Sequence, residues 1–257
     1  MDWNENPTGI EERFHRVSND HRDDSLNRLL MARHSGATLV LCNMKQQCEV
    51  VARTLRNAGW YARALHGNLE ARDRDQVLLQ FMNSSISVIV ATDVAAGTFT
   101  PASLELVVSY DLPRNPEMHA QRLEYVRPGG ALVYLVATEE EQRFRRIVSR
   151  FNLDPETEPL PAPEQWVVPQ PPFVTLLLNG GSKDRLSEGE LRNLLGSNDA
   201  IGEHDLGRVE VRSFCSYLAV RRDVSRRALE IIRGTRLHGK HYAVRALDSR
   251  VAIEGAT

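Results

Sequence analysis

None of the apolar runs in these 257 residues approaches the roughly 18–20 residues needed to cross a bilayer. The opening Met1-Asp2-Trp3-Asn4 has no signal-peptide character either. Cysteine is scarce: Cys42, Cys48 and Cys215 are an odd set of three without metal-ligand spacing, which argues against a disulfide framework and leaves no metal site to expect. A reduced compartment follows, and the expected location is cytoplasmic. Charge of one sign is also lacking, since 32 Lys and Arg stand against 34 Asp and Glu. That balance hides a split. From residue 173 onward there are 14 basic and 11 acidic residues, against 18 and 23 before it. A basic tail behind an acidic body suits a polyanionic partner for the tail. No Ser-His-Asp or paired-carboxylate arrangement stands out, and no G-x-x-x-x-G-K-[ST] phosphate cradle occurs.

What is present alternates. Residues 1–10 read as a frayed end, and Asp24 to Arg33 as an amphipathic helix through Leu26, Leu29 and Leu30. Short buried strands are expected at 37–42, 61–65, 88–91, 106–110 and 131–137. Helices are expected at 48–58, 72–82, 117–125 and 139–151. Strands alternating with helices of this length imply βαβ units and a parallel sheet covered on both faces. Between Pro155 and Pro172 lie seven of the twelve prolines and no glycine, the composition of a semi-rigid linker, although Trp166-Val167-Val168 could dock as a packed crossing. A second pattern follows, strand–helix–strand–strand–helix–strand, with Ser187 and Glu190 forming a capping box and Asp223 capping the second helix. That order is the ferredoxin-like split βαβ. The expected division is therefore 1–154, a linker at 155–172, and 173–250.

The stretch from Leu65-His66-Gly67 through Arg72-Asp73-Arg74-Asp75-Gln76 to Val90-Ala91-Thr92-Asp93 resembles the second RecA-like lobe of DEAD-box RNA helicases. The tail, through Gly180-Gly181-Ser182-Lys183, Asp205-Leu206-Gly207-Arg208-Val209 and Gly239-Lys240, resembles the RNA-binding domain of the DbpA subfamily. The resemblance implies an α/β RecA-like lobe followed by a small α+β ferredoxin-like domain of RRM type. It implies sequence-independent RNA contacts in the first lobe at Asn43, Lys45, Gly67, Arg74, Thr92 and Asp93. Met44 and Ala71 depart from the family there, where Thr and Gln are usual. A glycine-exposed amide, a hydroxyl and a guanidinium are groups that hold phosphates without reading bases.

On the nucleotide side, Arg122 matches the first arginine of the family's arginine-finger segment, Tyr125 replaces the second, and Arg127 matches the third only across a deletion. Arg122 and Arg127 are thus candidate nucleotide contacts, with surface charge as the alternative. The Asp-Glu-Ala-Asp run that holds Mg²⁺ is missing. No cofactor is expected for this chain alone; ATP and Mg²⁺ would require a first helicase lobe on another chain. The tail's candidate RNA groups are Lys183 and Arg185, Phe214, Arg221, and Lys240 and Arg245. Tyr217 is expected in the core and Ser216 on the opposite face, so Arg and Lys should dominate over base stacking. Arg226, Arg227, Arg233 and Arg236 read as a solvated face, and His66 as a turn residue. The resemblance implies binding of structured RNA, a 23S ribosomal RNA hairpin, in large-subunit assembly. The alternatives are a fragment or split half of an ATP-dependent helicase, and a decayed relative whose first domain only supports the second.

Overall fold

Runs such as Thr38-Leu39-Val40-Leu41-Cys42 put apolar side chains on both alternating sets of positions, so both faces of the sheet they join must be covered. The computed structural model describes residues 9–33, 36–100, 103–151, 153, 159–164, 167–197 and 201–247. It places β2 (Thr38–Cys42) and β4 (Val88–Thr92) inside a six-stranded sheet with β1 (Glu11–Val17), β3 (Ala62–Leu65), β5 (Leu104–Ser109) and β6 (Val126–Ala137). The order is β1-β6-β5-β2-β4-β3 and every pairing is parallel.

Helices α1 (Arg22–Arg33) and α2 (Lys45–Asn57) cover one face, where Leu26, Leu29, Val51 and Leu55 meet Val40, Val90, Val108 and Val133. The other face is aromatic. Phe14 stacks on Tyr134 at 4.7 Å between ring centroids and meets Phe144 edge-on at 5.3 Å. Phe144 and Phe151 belong to α6 (Glu141–Phe151), and His119 to α5 (Pro116–Glu124). Pro116 pre-sets the first turn of α5, and the Asn115 side chain accepts from Met118 N at 2.9 Å.

A polar trio is sealed into this aromatic layer. His119 Nδ1 lies 2.7 Å from the Tyr134 hydroxyl, and its Nε2 lies 3.5 Å from Glu12 Oε2. Burial lowers the His119 pKa to about 4, helped by the charge of Arg122. Burial raises the Glu12 carboxyl to about 7, against a hydrogen bond from Tyr134. Between those two values burial favours the uncharged form of both, a protonated Glu12 carboxyl beside a neutral His119.

Two elements differ from expectation. The strand β1 was hidden by Glu11, Glu12, Arg13 and Arg16; it is an edge strand, where charge guards against unwanted pairing. The strand β6 starts at Val126, five residues ahead of its apolar run. Gly130 makes that possible, because a Cβ there would come within 2.7 Å of Glu105 O. Parts of the Pro-rich segment are packed: Leu160 and Val168 rest on the α1–α2 core, and Arg28 Nε donates to Pro161 O at 3.1 Å. The expected docking residue Trp166 and most of the expected frayed end lie outside the described residues.

The chain gathers into two compact units, residues 1–77 with 87–169, and residues 78–86 with 170–257. In the second, β7 (Phe173–Leu178), β8 (Leu206–Val211), β9 (Ser216–Arg221) and β10 (Val244–Ala246) form an antiparallel sheet in the order β10-β7-β9-β8. With α7 (Glu188–Gly196) and α8 (Ser225–Gly234) this is the ferredoxin-like arrangement. Leu176, Leu178, Leu218 and Val220 face the two helices through Leu191, Leu195, Ala228 and Ile232. Ser187 caps α7 by accepting from Glu190 N at 3.3 Å, while the Glu190 carboxylate turns to His238 at 3.0 Å.

The opposite face of this sheet is filled from within the same unit. Helix α3 (Ala71–Met82) contributes its last turns, and Leu79 packs with Leu177, Tyr217 and Leu247. Gln80 Nε2 donates to Leu247 O at 2.7 Å, and Asn83 Nδ2 to Thr175 Oγ1 at 3.1 Å. Ser85 Oγ is 2.7 Å from the same hydroxyl.

Candidate nucleic-acid interface

The carboxyl ends of β2, β3 and β4 are neighbours, so the loops that leave them share one edge, the usual ligand edge of an open α/β sheet. Lys45 is exposed and donates to Asn68 Oδ1 at 3.0 Å; Gly67 is exposed, with open space where a side chain would be. Arg74 is half-buried and donates to Leu69 O at 3.3 Å, and Thr92 is half-buried ahead of the one-turn helix α4 (Asp93–Ala96). These four share the edge and present groups suited to a phosphate backbone.

Asn43 and Asp93 follow the ends of β2 and β4 at the same edge. Their side chains are turned inward onto Arg122, whose exposure is zero. A guanidinium has five N–H donors, and all five are used. Arg122 Nε and Nη2 grip the Asp93 carboxylate at 2.7 and 2.8 Å; Nη2 also reaches Asn43 Oδ1 at 3.2 Å. Nη1 donates to Asp111 O at 2.6 Å and to Ser109 Oγ. Asn43 is bound further through its amide to Asp111 Oδ2 at 2.8 Å and through Nδ2 to Leu112 O at 2.9 Å. Three candidates, two expected on RNA and one on nucleotide, thus form one internal lock that ties α5 to the ends of β2, β4 and β5. Arg127 lies on β6 and pairs with Glu105 at 3.0 Å, both about half exposed. The Arg122 guanidinium is thus wholly taken up by protein acceptors, while Arg127 holds a half-exposed ion pair. His66 is no simple turn residue: it is buried, with Nε2 at 2.8 Å from Glu49 Oε1. Among the described residues no group of His, Cys, Asp and Glu is arranged for a metal.

In the second unit the loop after β7 and the β8–β9 hairpin are locked together. Ser182 N donates to Arg212 O at 2.8 Å and Lys183 N to Ser213 O at 3.1 Å. Gly181 allows this approach, since a Cβ there would sit 2.1 Å from Arg212 O. The chain then turns through Arg185 in the left-handed region, at φ 67°. The result is a basic cluster at one end of the sheet. Lys183 Nζ stands 4.5 Å from the centre of the Phe214 ring, Arg185 is exposed, and Lys240 Nζ reaches Asp184 Oδ1 at 3.2 Å. Phe214 is 68% exposed at the hairpin tip. Arg221 is at the far end of β9, tied to Asp223 at 2.9 Å, and Arg245 is exposed along β10 beside Leu177. The structure therefore brings Lys183, Arg185, Phe214 and Lys240 together and leaves Arg221 and Arg245 apart.

Comparison with known proteins agrees with both units. The helicase conserved C-terminal domain matches residues 21–127, and the DbpA RNA binding domain matches residues 175–246. The chain is 34% identical over 241 residues to the ATP-dependent RNA helicase DbpA of Escherichia coli, covering 93% of this chain and 53% of that protein. The chain thus carries a helicase conserved C-terminal domain followed by a DbpA RNA binding domain.

The ATP-dependent RNA helicase DbpA of Bacillus subtilis is 22% identical, over 91% of this chain and 54% of that protein, so the chain spans about half the length of these relatives. Among solved structures, a DEAD box protein from Methanococcus jannaschii superposes with a TM-score of 0.54 at 29% identity, covering 58% of this chain and 42% of that one. Within the DbpA RNA-binding domain, one expectation inverts. Tyr217 is buried, but on the sheet face away from the helices, while Ser216 faces them and donates to Gly180 O at 2.7 Å. The DbpA-type sheet thus offers no open aromatic face. The helix expected at 72–82 gave no sign that residues 78–86 would supply the cover of that face. Val77, Leu79 and Phe81 are all buried although they point to different sides of its last turns, which is the mark of a helix end covered on more than one side, while Met82 stays exposed.

Proposed function

We propose that the second unit anchors this chain to structured RNA, and that the RNA is a hairpin of the 23S ribosomal RNA engaged in the cytoplasm during large-subunit assembly. The observation that carries this is the convergence of Lys183, Arg185, Phe214 and Lys240 at one end of a sheet whose own face is filled. With the face closed, an RNA-recognition fold is left with its loops. Loops of this kind hold phosphates and unpaired nucleotides, in keeping with the match to the DbpA RNA binding domain. The edge at Lys45, Gly67, Arg74 and Thr92 adds backbone contacts that carry no sequence information.

The chain alone is proposed to take no nucleotide. The full occupation of Arg122 and the Glu105 pairing of Arg127 support this, as does the lack of a phosphate cradle within these residues. A second reading is favoured by the coverage of the relatives: these residues would form the RNA-holding half of an ATP-dependent helicase that works with a first lobe. Filter binding of a ribosomal-RNA hairpin separates the contributions. Lys183→Ala with Arg185→Ala is expected to weaken binding more than ten-fold, and Lys45→Ala with Arg74→Ala to change it little. The reverse order would overturn the assignment.

A further inference from the structure

Phe214 has no structural reason to be where it is. It is the most exposed aromatic of the described residues, at 68%, and it sits at a hairpin tip where a polar residue would cost nothing. Its position is nevertheless fixed. The hairpin carbonyls of Arg212 and Ser213 accept from Ser182 and Lys183, and Arg212 N closes the hairpin on Cys215 O at 2.9 Å. The ring is therefore carried on a fixed backbone beside a basic loop, with the Lys183 ammonium 4.5 Å from its centre.

We propose that Phe214 is a stacking platform for one unpaired nucleobase, and that Lys183 is its exchangeable cover. The proposal rests on the RNA-binding reading above and narrows it to RNA that presents an unpaired base, in a loop or bulge, next to a paired stem. The magnitudes favour the exchange. An exposed cation–π contact contributes about 0.5–1 kcal/mol, and a base stacked on an aromatic about 1–3 kcal/mol. The displaced ammonium is not wasted, because the phosphate of the stacked nucleotide is a better partner for it than a ring. Arg185 and Lys240, on the same end of the sheet, flank the path of the backbone. A fully paired stem has no base to offer, so it meets only the cationic groups.

The test uses the full chain, a ribosomal-RNA hairpin, and the same hairpin with single loop nucleotides made abasic. Phe214→Leu keeps an apolar side chain and removes the π face; Phe214→Trp keeps and enlarges it. Phe214→Leu is expected to weaken binding about 5- to 100-fold with an unchanged salt dependence. Phe214→Trp is expected to retain it. One abasic position should weaken wild type to the same degree and have no further effect on Phe214→Leu. Two failures are distinguishable. If the chain binds no hairpin, the RNA-binding reading falls. If it binds, and Lys183→Ala with Arg185→Ala weakens it while Phe214→Leu and every abasic position remain independent, only the stacking platform is refuted.

Discussion

Replacing Arg122 by Ala is the most informative perturbation of the first unit. The change removes five hydrogen bonds and leaves the Asp93 carboxylate, 5% exposed, without its counter-charge. Breaking a buried pair in this way costs about 3–5 kcal/mol, because the surviving charge has neither water nor partner. Against a typical domain stability of about 5–15 kcal/mol that is a large fraction. A domain of this size loses about 2–4 °C per kcal/mol, so the melting temperature of the first unit should fall by roughly 10 °C. Arg122→Lys keeps the charge but cannot fork across Asp93, and should fall between the two. Replacing both partners by apolar residues, Arg122→Met with Asp93→Leu, should recover much of the loss. Urea unfolding followed by circular dichroism and by fluorescence of the buried Trp60 reads the effect. If Arg122→Ala unfolds at the wild-type urea concentration, the internal lock is not structural, and the case against a nucleotide role for Arg122 falls with it.

Three further outcomes follow from the geometry. Glu12, raised to about 7, contributes stability that is complete below its unfolded value of 4.5 and is lost as pH rises through 7. His119, lowered to about 4, contributes stability that is complete above 6.5 and is lost as pH falls through 4, so in wild type the two slopes oppose one another. Glu12→Gln should expose the His119 slope as a rise of roughly 3 kcal/mol between pH 4 and 6.5; a flat urea midpoint over that range would contradict the pairing. Leu79→Ala should cost the second unit about 2–5 kcal/mol, read as a lower transition for the ferredoxin-like domain, and an unchanged transition would mean the sheet face is not sealed as described. Purified chain should show no RNA-stimulated ATP hydrolysis, and turnover above a mock-purified control would overturn the proposal that it takes no nucleotide alone.

The sequence pattern was readable wherever burial is two-sided or alternation is clean. The interior strands, the α1 and α2 faces and the βαββαβ order of the tail all follow from it, because apolar periodicity records which side of an element is covered. It was unreadable where the deciding partner is distant in sequence. Arg122 looks like any helix-surface arginine until Asn43, Asp93 and Ser109 are brought to it by three strand ends. The face of Tyr217 was misjudged for a related reason. A strand's alternation fixes which residues are partners but not which face is which, and a shift of one residue exchanges them. The basic end of the tail fell between these cases: Lys183 and Arg185 were legible as candidate RNA groups, but only the fold shows that the hairpin at Arg212–Phe214 packs against their loop.

Where the RNA affinity resides is settled most directly by the salt dependence of hairpin binding to the full chain and to Lys183→Ala with Arg185→Ala. Each phosphate contact contributes about 0.7–0.9 to the slope of log affinity against log salt. The basic cluster on the second unit predicts a slope lower by roughly one to two in the double variant, with affinity falling at low salt by more than ten-fold. A double variant with wild-type slope and wild-type affinity would place recognition elsewhere in the chain and contradict the assignment of RNA binding to the loop cluster.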